Sequence, residues 1–475
     1  MHLFYAKFYL YFKVKQVFLA CLAIFEIGSV ICATAPTSSA LVVGRAIAGV
    51  GGAGLFIGGT IASAEVAPLH LQPLIIGIMG GVFGVCSVVG PLISGSVDGL
   101  CKMGGALTAN ASWRWCFYIN SYTTLTVPIG AVAAVGVISL LHVKQSLLKL
   151  KGTIWTRIAL FDPLGNLAFI GSAVSLLLAL QFAFESSYSD RRVIALFVLF
   201  GVLFIALLIL QWTLGESSTL PPRVVKYRTI GFGSLFAACI GASTFIVLNY
   251  LPIWFQVVQK QSPTSSALRT LPLVVAQIIS TLEAGILTTR LGHYMPFVYA
   301  AAIFMPIGIG LATTFSLRTP TSHWIGYEIL IGIGIGAGFQ QARVAAQVTL
   351  PAEDLPLGVA AIFAAQFMGG AVMVSAAQNV FAQHLKSSIK ALDIPGLDPG
   401  IVVGTGATEV GKLVPPDQME EVLAAYNDAI MKAFQLALIV SCIMSVGALG
   451  MKWTSVRTSN PGESATSAPR KEEAK

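Results

Sequence analysis

Twelve separate stretches of about twenty apolar residues divide this chain, and each is long enough as an α-helix to cross a lipid bilayer. Hydrophobic residues make up 55% and charged residues only 11% of the 475 residues, whereas soluble domains carry about 25% charged residues. We therefore predict an all-α polytopic membrane protein. The chain length then gives no count of globular domains.

Hydropathy and helix-breaking residues place the twelve predicted spans in sequence. They are 16–34, 39–64, 73–96, 115–141, 159–184, 193–213, 230–257, 270–289, 296–315, 323–345, 357–382 and 431–451. The fourth span carries a polar insert at 121–124, and the eighth contains Glu283.

Five groups of basic residues lie at positions separated by an even number of predicted spans. The clusters are Lys7, Lys13 and Lys15; Lys144, Lys149, Lys151 and Arg157; Arg223, Lys226 and Arg228; Arg290; and Lys452, Arg457, Arg470, Lys471 and Lys475. All lie on one face if the start is cytoplasmic, as the positive-inside rule requires. The alternative is a random scatter of surface charge. We expect both termini in the cytoplasm, and we do not interpret the net charge of +8 as a nucleic-acid surface.

Several other function classes lack their sequence signals. The segment Met1–Lys15 has no cleavage site of a signal peptide, so the first span is expected to be retained. The seven Cys and six His residues have no metal-ligand spacing, so no metal site is expected. Gly49–Gly54 fits G-x-G-x-x-G, but no strand precedes it and it lies within an apolar span. Because nucleophile motifs and a Walker lysine are also missing, we predict neither an enzyme nor an ATP-driven pump.

Two polar segments and one sequon lie outside the spans. Residues 383–430 form a long loop predicted to be external, and its end, Met419–Phe434, is predicted to be a helix leading into the last span. The tail 453–475 is rich in Ser, Pro, Glu and Lys and is predicted to be disordered. Asn110 fits an N-glycosylation acceptor on the outer side.

Polar side chains inside the spans mark a candidate pathway, because an ion in hydrocarbon costs at least a few kcal/mol. They are Glu26, Arg45, Glu65, Asn249, Gln256, Glu283, Gln340, Gln341, Arg343, Gln366, Gln378 and Asn379. For Glu65, Gln378 and Asn379, local pairing near a span end is the favoured alternative. Such groups on separate spans indicate a solvated route through the membrane rather than one catalytic site.

Motifs in both halves resemble those of major facilitator transporters. Gly44–Gly49 resembles the Arg-bearing signature of their fourth helix, and Gly81–Gly95 resembles the antiporter signature of the fifth. Four further motifs resemble the fourteen-span drug:proton antiporters of fungi, which include mycotoxin exporters; they are Trp113–Asn120, Tyr250–Gln256, Arg269–Pro272 and Gly338–Gln341. The similarity extends to about Thr454.

The resemblance implies a major facilitator fold, with two six-helix bundles and two intervening helices, and it implies roles for particular residues. Arg45 matches an Arg linked to proton coupling, since a buried cation favours ionisation of a nearby acid. The implied hinge comprises Gly81, Gly84, Gly90, Pro91 and Gly95, with a simple packing kink as the alternative. The implied cytoplasmic gate comprises Gly285, Arg290 and Gly292. The implied substrate cavity comprises Glu26, Asn249, Tyr250, Trp254, Gln256, Gln340, Gln341 and Arg343.

The chain also departs from this family pattern. Residues 1–15 align with the cytoplasmic loop after the family's second helix, so the twelve spans are interpreted as helices three to fourteen of a fourteen-helix form. This gives a loop remnant at 1–15, a partial bundle at 16–141, linker helices at 142–229, a six-helix bundle at 230–452 and the tail. Inserts at 96–104 and 121–126 interrupt family motifs. We hypothesise that both are translated intron remnants and that the start is misplaced.

The expected function is proton-driven efflux of small organic molecules, such as drugs, toxins or secondary metabolites, by alternating access. The proton gradient would supply the energy without a cofactor. Expected partners are the lipid bilayer, a small-molecule substrate and protons, with the chain a monomer in the plasma membrane or, alternatively, the vacuolar membrane. The alternatives are a truncated or non-transporting protein such as a sensor, and a nutrient or siderophore transporter.

Overall fold

The computed structural model describes residues 1–86, 126–140, 160–185, 188–392, 394, 400 and 418–457. These residues are largely helical, and eleven of the helices are long and apolar enough to cross a membrane. A shorter apolar helix, Gly130–Ser139, lies within the fourth predicted span. The all-α membrane fold predicted from hydropathy is thereby confirmed.

Fourteen helices of the described residues carry the labels used below. They are α1 His2–Tyr11, α2 Val14–Thr34, α3 Ser38–Val66, α4 Leu69–Cys86, α5 Thr126–Leu140, α6 Pro163–Glu185, α7 Arg191–Leu214, α8 Arg228–Val257, α9 Leu271–Leu291, α10 Met295–Ala312, α11 Thr321–Gly338, α12 Gln341–Thr349, α13 Leu355–Ala391 and α14 Met419–Gly450. Short helices Pro222–Lys226 and Pro263–Arg269 precede α8 and α9.

Capping groups define several of the helix ends. The Thr37 hydroxyl accepts a hydrogen bond from the Ala40 N–H at 3.2 Å, and the Asp190 carboxylate accepts one from the Arg192 N–H at 2.9 Å. Both satisfy N–H groups that have no partner in the first turn of a helix. At the end of α9, Gly292 has a φ of 78°, a left-handed conformation that glycine adopts at low cost.

Packing divides the helices into groups. Helix α8 packs against α13 and α14, and α9 and α10 both pack against α11. Earlier in the chain α2 packs against α3, and α6 pairs with α7. Below, the first half of the molecule means α1–α5 and the second half means α8–α14. The amide of Asn379 on α13 donates to the Leu180 carbonyl on α6 at 2.9 Å, which joins this pair to the rest of the molecule. Helix α7 exposes most of its apolar side chains, including Trp212, as expected for a surface that faces lipid.

The first residues differ from the loop remnant that the sequence predicts. They form the ten-residue helix α1, whose Tyr5 and Tyr9 are buried because their i, i+4 spacing places both on one helix face. Tyr9 donates to the Gly54 carbonyl at 3.0 Å. The Lys7 ammonium donates to the carbonyls of Leu160 at 2.7 Å and Ser217 at 2.8 Å, which lie at the ends of the α6–α7 pair.

Three predicted spans have different bounds in the structure. The span 323–345 is interrupted between Gly338 and Gln341, so that α11 and α12 are separate helices. The span 357–382 continues to Ala391, and the first part of the predicted external loop is therefore helical. Helix α14 begins at Met419, which confirms the helix predicted ahead of the last span.

Several predictions concern residues outside the described ranges. They are Gly90, Pro91 and Gly95 of the antiporter signature, the sequon at Asn110, the motif at 113–120, most of the two inserts at 96–104 and 121–126, and the tail from residue 458.

Candidate functional site

Two cavities meet at Phe56 of α3 and Phe367 of α13. The larger, here called the Arg45 cavity, has a volume of about 490 Å³. It is lined by His2, Phe25, Ser29, Cys32, Arg45, Ala48, Gly49, Gly52, Ala53, Phe56 and Phe367. The smaller, here called the Arg343 cavity, has a volume of about 60 Å³. It is lined by Phe56, Thr60, Ile76, Met79, Phe83, Phe339, Gln340, Arg343, Phe363 and Phe367.

The break between α11 and α12 shapes the smaller cavity. At the break the Arg343 N–H bonds to the Gln340 carbonyl at 3.1 Å, so it does not close the regular helical bond to the Phe339 carbonyl. That carbonyl instead accepts from the Arg343 guanidinium at 3.1 Å and from the Gln366 amide at 3.2 Å. The break therefore turns a buried cation and the amide of Gln340 toward the cavity.

Aromatic rings surround this cation. The guanidinium carbon of Arg343 lies 4.5 Å from the Phe363 ring centroid and 5.9 Å from that of Phe339. Phe56 lies 5.9 Å from Phe363 and 5.6 Å from Phe367, and Phe83 stacks on Phe339 at 6.2 Å. These rings come from α3, α4, α11–α12 and α13, so the cavity lies where the two halves of the molecule face each other.

Arg45 lies on α3 with an exposed side chain that lines the larger cavity. Beside it, α3 approaches α2 closely, because a Cβ placed on Gly44 would lie 2.8 Å from the Cys32 backbone nitrogen. The ion pairs among the described residues do not include Arg45. Its predicted role in proton coupling stays a prediction.

The described part of the antiporter signature packs against α9. A Cβ on Gly81 would lie 3.2 Å from a methyl group of Leu282, and one on Gly84 would lie 2.6 Å from a side-chain carbon of Ile278. Both glycines therefore allow α4 and α9 to approach closely. The hinge assigned to this motif stays a prediction.

Gly285 of the predicted gate lies in the same α4–α9 contact. A Cβ added there would lie 2.8 Å from the Pro73 carbonyl oxygen and 3.2 Å from the Cα of Gly77. Arg290 is exposed, and its carbonyl accepts a hydrogen bond from the Arg457 guanidinium. The Gly292 carbonyl accepts from the Val456 N–H at 2.7 Å. The segment after α14 therefore docks on the turn between α9 and α10.

The other predicted cavity residues fall into different environments. Trp254 is fully buried, stacks on Phe315 at 4.4 Å and donates to the Asn427 side-chain oxygen at 2.8 Å. Tyr250 is buried against Phe381 at 5.5 Å. Neither lines the two cavities.

The remaining residues predicted for the cavity, three amides and one acid, also lie in different places. Asn249 is exposed and bonds to the Phe245 carbonyl of its own helix at 2.8 Å, and Gln256 is half-buried. Gln341 is buried beside the break. Glu26 faces α5, since a Cβ on Gly130 would lie 2.3 Å from its Oε1. Of the predicted cavity set, the structure brings Gln340 and Arg343 together at a cavity.

Sequence reasoning missed two features. The first is the phenylalanine lining, which includes Phe363 and Phe367 at i, i+4 on α13, a spacing that also occurs in ordinary helix packing. The second is Glu328, a fully buried carboxyl group on α11. The backbone of Leu273 in the first turn of α9 faces it, but neither carboxyl oxygen completes a hydrogen bond. Its position inside the predicted span 323–345 is the sequence signal that could have identified it.

Known proteins resemble the chain in sequence and in fold. A family model described as the Major Facilitator Superfamily matches residues 3–374. The efflux pump aflT of Aspergillus parasiticus is 43% identical over 457 residues, covering 96% of this chain and 86% of that pump. The MFS-type efflux pump MFS1 of Arthroderma benhamiae is 41% identical over 457 residues, covering 96% of this chain and 82% of that pump. The solved proton:xylose symporter XylE has a TM-score of 0.54 at 14% identity, covering 96% of this chain and 85% of that chain.

Proposed function

This chain belongs to the major facilitator superfamily and is a transmembrane transporter, and we propose that it exports small organic molecules such as drugs, toxins or secondary metabolites. Relatives that are about 40% identical are named efflux pumps, which supports the direction of transport. Transport, and not chemical conversion of the solute, is the proposed activity.

The observation that carries this proposal is the pair of adjoining cavities between the two halves, which share Phe56 and Phe367. Their shared wall of aromatic rings suits a partly apolar solute, and Arg45, Gln340 and Arg343 supply the polar groups that orient it. The close α4–α9 contact at Gly77 and Gly285 is the proposed closure on one side. Opening and closing such a contact while the site stays between the halves is alternating access.

A proton gradient is the proposed energy source, with Arg45 as the coupling residue. A cation beside a cavity favours the ionised form of an acid that approaches it, and protonation of that acid weakens the attraction. The proposal also places a monomer in the plasma membrane with both termini in the cytoplasm. The distribution of Lys and Arg supports that orientation.

Transport into inside-out membrane vesicles tests the proposal. With an imposed acid interior, uptake of a fluorescent aromatic solute is expected to follow the pH gradient and to stop on addition of a protonophore. Arg45→Ala is expected to slow uptake by about tenfold or more. Arg318→Ala is the matched control, because that side chain is 91% exposed in a surface ion pair with Glu420.

Four outcomes would contradict parts of this proposal. Uptake that persists unchanged without the gradient would refute antiport, and normal uptake by Arg45→Ala would remove that residue from coupling. Solute-dependent signalling without any flux would favour a sensor. Gradient-driven movement in the opposite direction would favour a nutrient or siderophore importer.

A further inference from the structure

The Arg343 guanidinium is a buried cation without a carboxylate partner among the described residues. Its side chain is on a residue only 5% exposed, and the ion pairs described involve Arg223, Arg318 and His384 instead. A single buried ion carries a large desolvation penalty unless an opposite charge or several hydrogen bonds offset it. In Arg343 one donor reaches the Phe339 carbonyl, and the flat face of the group lies over Phe363.

Acids on the packed elements lie elsewhere. Glu65 on α3 and Glu283 on α9 have exposed side chains. Glu328 precedes Phe339 by eleven helical residues on α11, a rise of about 16 Å. Asp354, just before α13, pairs with Arg223 at 2.9 Å. The acids of the described residues therefore leave this site without a negative charge, and a bound anion would supply it.

The walls of the site restrict what that molecule is. Phe56, Phe83, Phe363 and Phe367 present ring faces and edges to the space beside the guanidinium. Such walls pack well on a planar aromatic body, and the low polarity around them strengthens a charge-assisted bond to an anion. A cationic solute would meet no opposite charge among these lining residues, and a strongly hydrated solute would lose its water against the aromatic rings.

We infer that this transporter selects aromatic organic anions, with Arg343 holding the carboxylate or phenolate and the aromatic body lying against Phe56 and Phe367, which also line the larger Arg45 cavity. This assignment rests on the proposed transport function and names its substrate class. The Arg45 cavity, which shares Phe56 and Phe367, gives the anion a second cation along the same route.

Arg343 also has a structural contact that must be separated from ligand binding. It bonds to the Phe339 carbonyl at the helix break, but Gln366 bonds to the same carbonyl. Removing Gln366 therefore perturbs the break without removing the cation. Gln366→Met is thus the matched control for Arg343→Gln.

Equilibrium binding to the full chain in nanodiscs tests the inference without a proton gradient. The probes are 2-naphthoate, its neutral isostere 2-naphthamide, and 2-naphthylmethylammonium. Wild type is expected to bind naphthoate about tenfold more tightly than the amide, and the ammonium most weakly. In Arg343→Gln the naphthoate and amide affinities are expected to agree within about twofold. Gln366→Met and Arg343→Lys are expected to keep a preference for the anion.

The results separate this inference from the proposed function. Equal binding of naphthoate and naphthamide to wild type, no binding of naphthoate, or an unchanged preference in Arg343→Gln would each overturn anion selection. Loss of the preference in Gln366→Met as well would assign the effect to the helix break. Selective binding without flux in vesicles would instead refute transport and leave the binding site in place.

Discussion

Two buried ionisable residues lie in contrasting environments within the second half of the molecule. Arg343 faces a cavity and has a carbonyl and a ring face as partners. Glu328 is 0% exposed, and neither of its carboxyl oxygens completes a hydrogen bond. Its nearest favourable group is the first turn of α9, where a helix dipole stabilises negative charge by about 0.3–2 kcal/mol. That is less than the usual cost of burying a charge.

Glu328→Gln is expected to raise the free energy of unfolding by about 1 kcal/mol or more at pH 7.5. An ionised side chain there is desolvated, and protonating a carboxylic acid so far above pH 4.3 also costs free energy. The amide avoids both costs. Thermal unfolding in detergent measures the change, with exposed Glu283→Gln as the control, expected within about 0.5 kcal/mol. A lower melting temperature for Glu328→Gln would instead show that the fold requires the carboxylate.

Trp254, a residue predicted for the substrate cavity, is fully buried and stacks on Phe315. Trp254→Phe removes the bond to Asn427 and leaves space beside Phe315, so we expect a loss of about 1–3 kcal/mol in the free energy of unfolding. Because Trp254 lines neither cavity, the ratio of affinities for different solutes should not change. Unfolding and binding are both measured, and Phe367→Leu is the comparison that should change binding. A changed solute preference in Trp254→Phe would return that residue to the site.

Between elements, the ion-pair cluster at Arg223 joins the short helix Pro222–Lys226 and the segment after α7 to the start of α13. Its guanidinium lies 2.9 Å from Asp354 Oδ1 and 3.2 Å from Glu216 Oε2. The Asp354 side chain is only 7% exposed, and burial raises the pKa of that carboxyl while Arg223 opposes the shift. Arg223 therefore offsets part of the cost of burying this acid at the start of α13.

The sign of the pH dependence follows from that raised pKa. Between the unfolded pKa of about 3.9 and the higher folded pKa of Asp354, the folded state binds more protons than the unfolded state. The free energy of unfolding therefore falls as pH rises through this interval and levels off above the folded pKa. Arg223→Gln removes the opposing charge, and the fall should be larger and extend to higher pH. Melting temperatures from pH 4 to pH 8 measure this, with Arg318→Gln as the exposed control. Parallel profiles for wild type and Arg223→Gln would contradict the coupling.

Hydropathy identified the helices that are apolar enough to lie in lipid. It missed features that depend on contacts with particular neighbouring residues. Hydropathy located α8 and α9 closely, but it does not register the break at Phe339, whose carbonyl is satisfied by side chains from two helices. It also ended α13 at residue 382. Beyond that point Leu385 and Ile389 form one apolar face buried against α14, and the rest of the turn is polar.

The candidate site was predictable to the extent that charge marks it. Arg45, Gln340 and Arg343 were found because polar groups inside spans are costly. Phe56, Phe83, Phe363 and Phe367 were not found, because phenylalanine is ordinary in any apolar helix and only the three-dimensional arrangement gathers these rings. Trp254 and Asn249 line neither of the two cavities, and their side chains bond to Asn427 and to the Phe245 carbonyl. Their assignment to the substrate cavity stays a prediction.

Across the whole molecule, the two halves meet where α4 lies against α9. Gly77 and Gly285 bring the backbones together, and farther along Gly84 receives the Ile278 side chain. Lys and Arg residues predict that the Gly285 end is cytoplasmic. As the proposed gate, this contact would separate and re-form in every transport cycle. A side chain introduced at either glycine would therefore hinder closure on that side.

Gly285→Val is expected to wedge this contact apart. The added Cβ would lie 2.8 Å from the Pro73 carbonyl oxygen, and overpacking of this kind costs about 1–3 kcal/mol. A cost that acts only on the closed arrangement shifts its population by about 5- to 150-fold. Backbone hydrogen exchange should increase in α4 and α9 near residues 73–79 and 283–291, and gradient-driven flux should fall by a similar factor. Gly201→Val on α7 is the matched control, because a Cβ there meets no atom within 4 Å, and it should leave exchange and flux unchanged. Normal flux with unchanged exchange in Gly285→Val would mean that the halves do not use this contact as a gate.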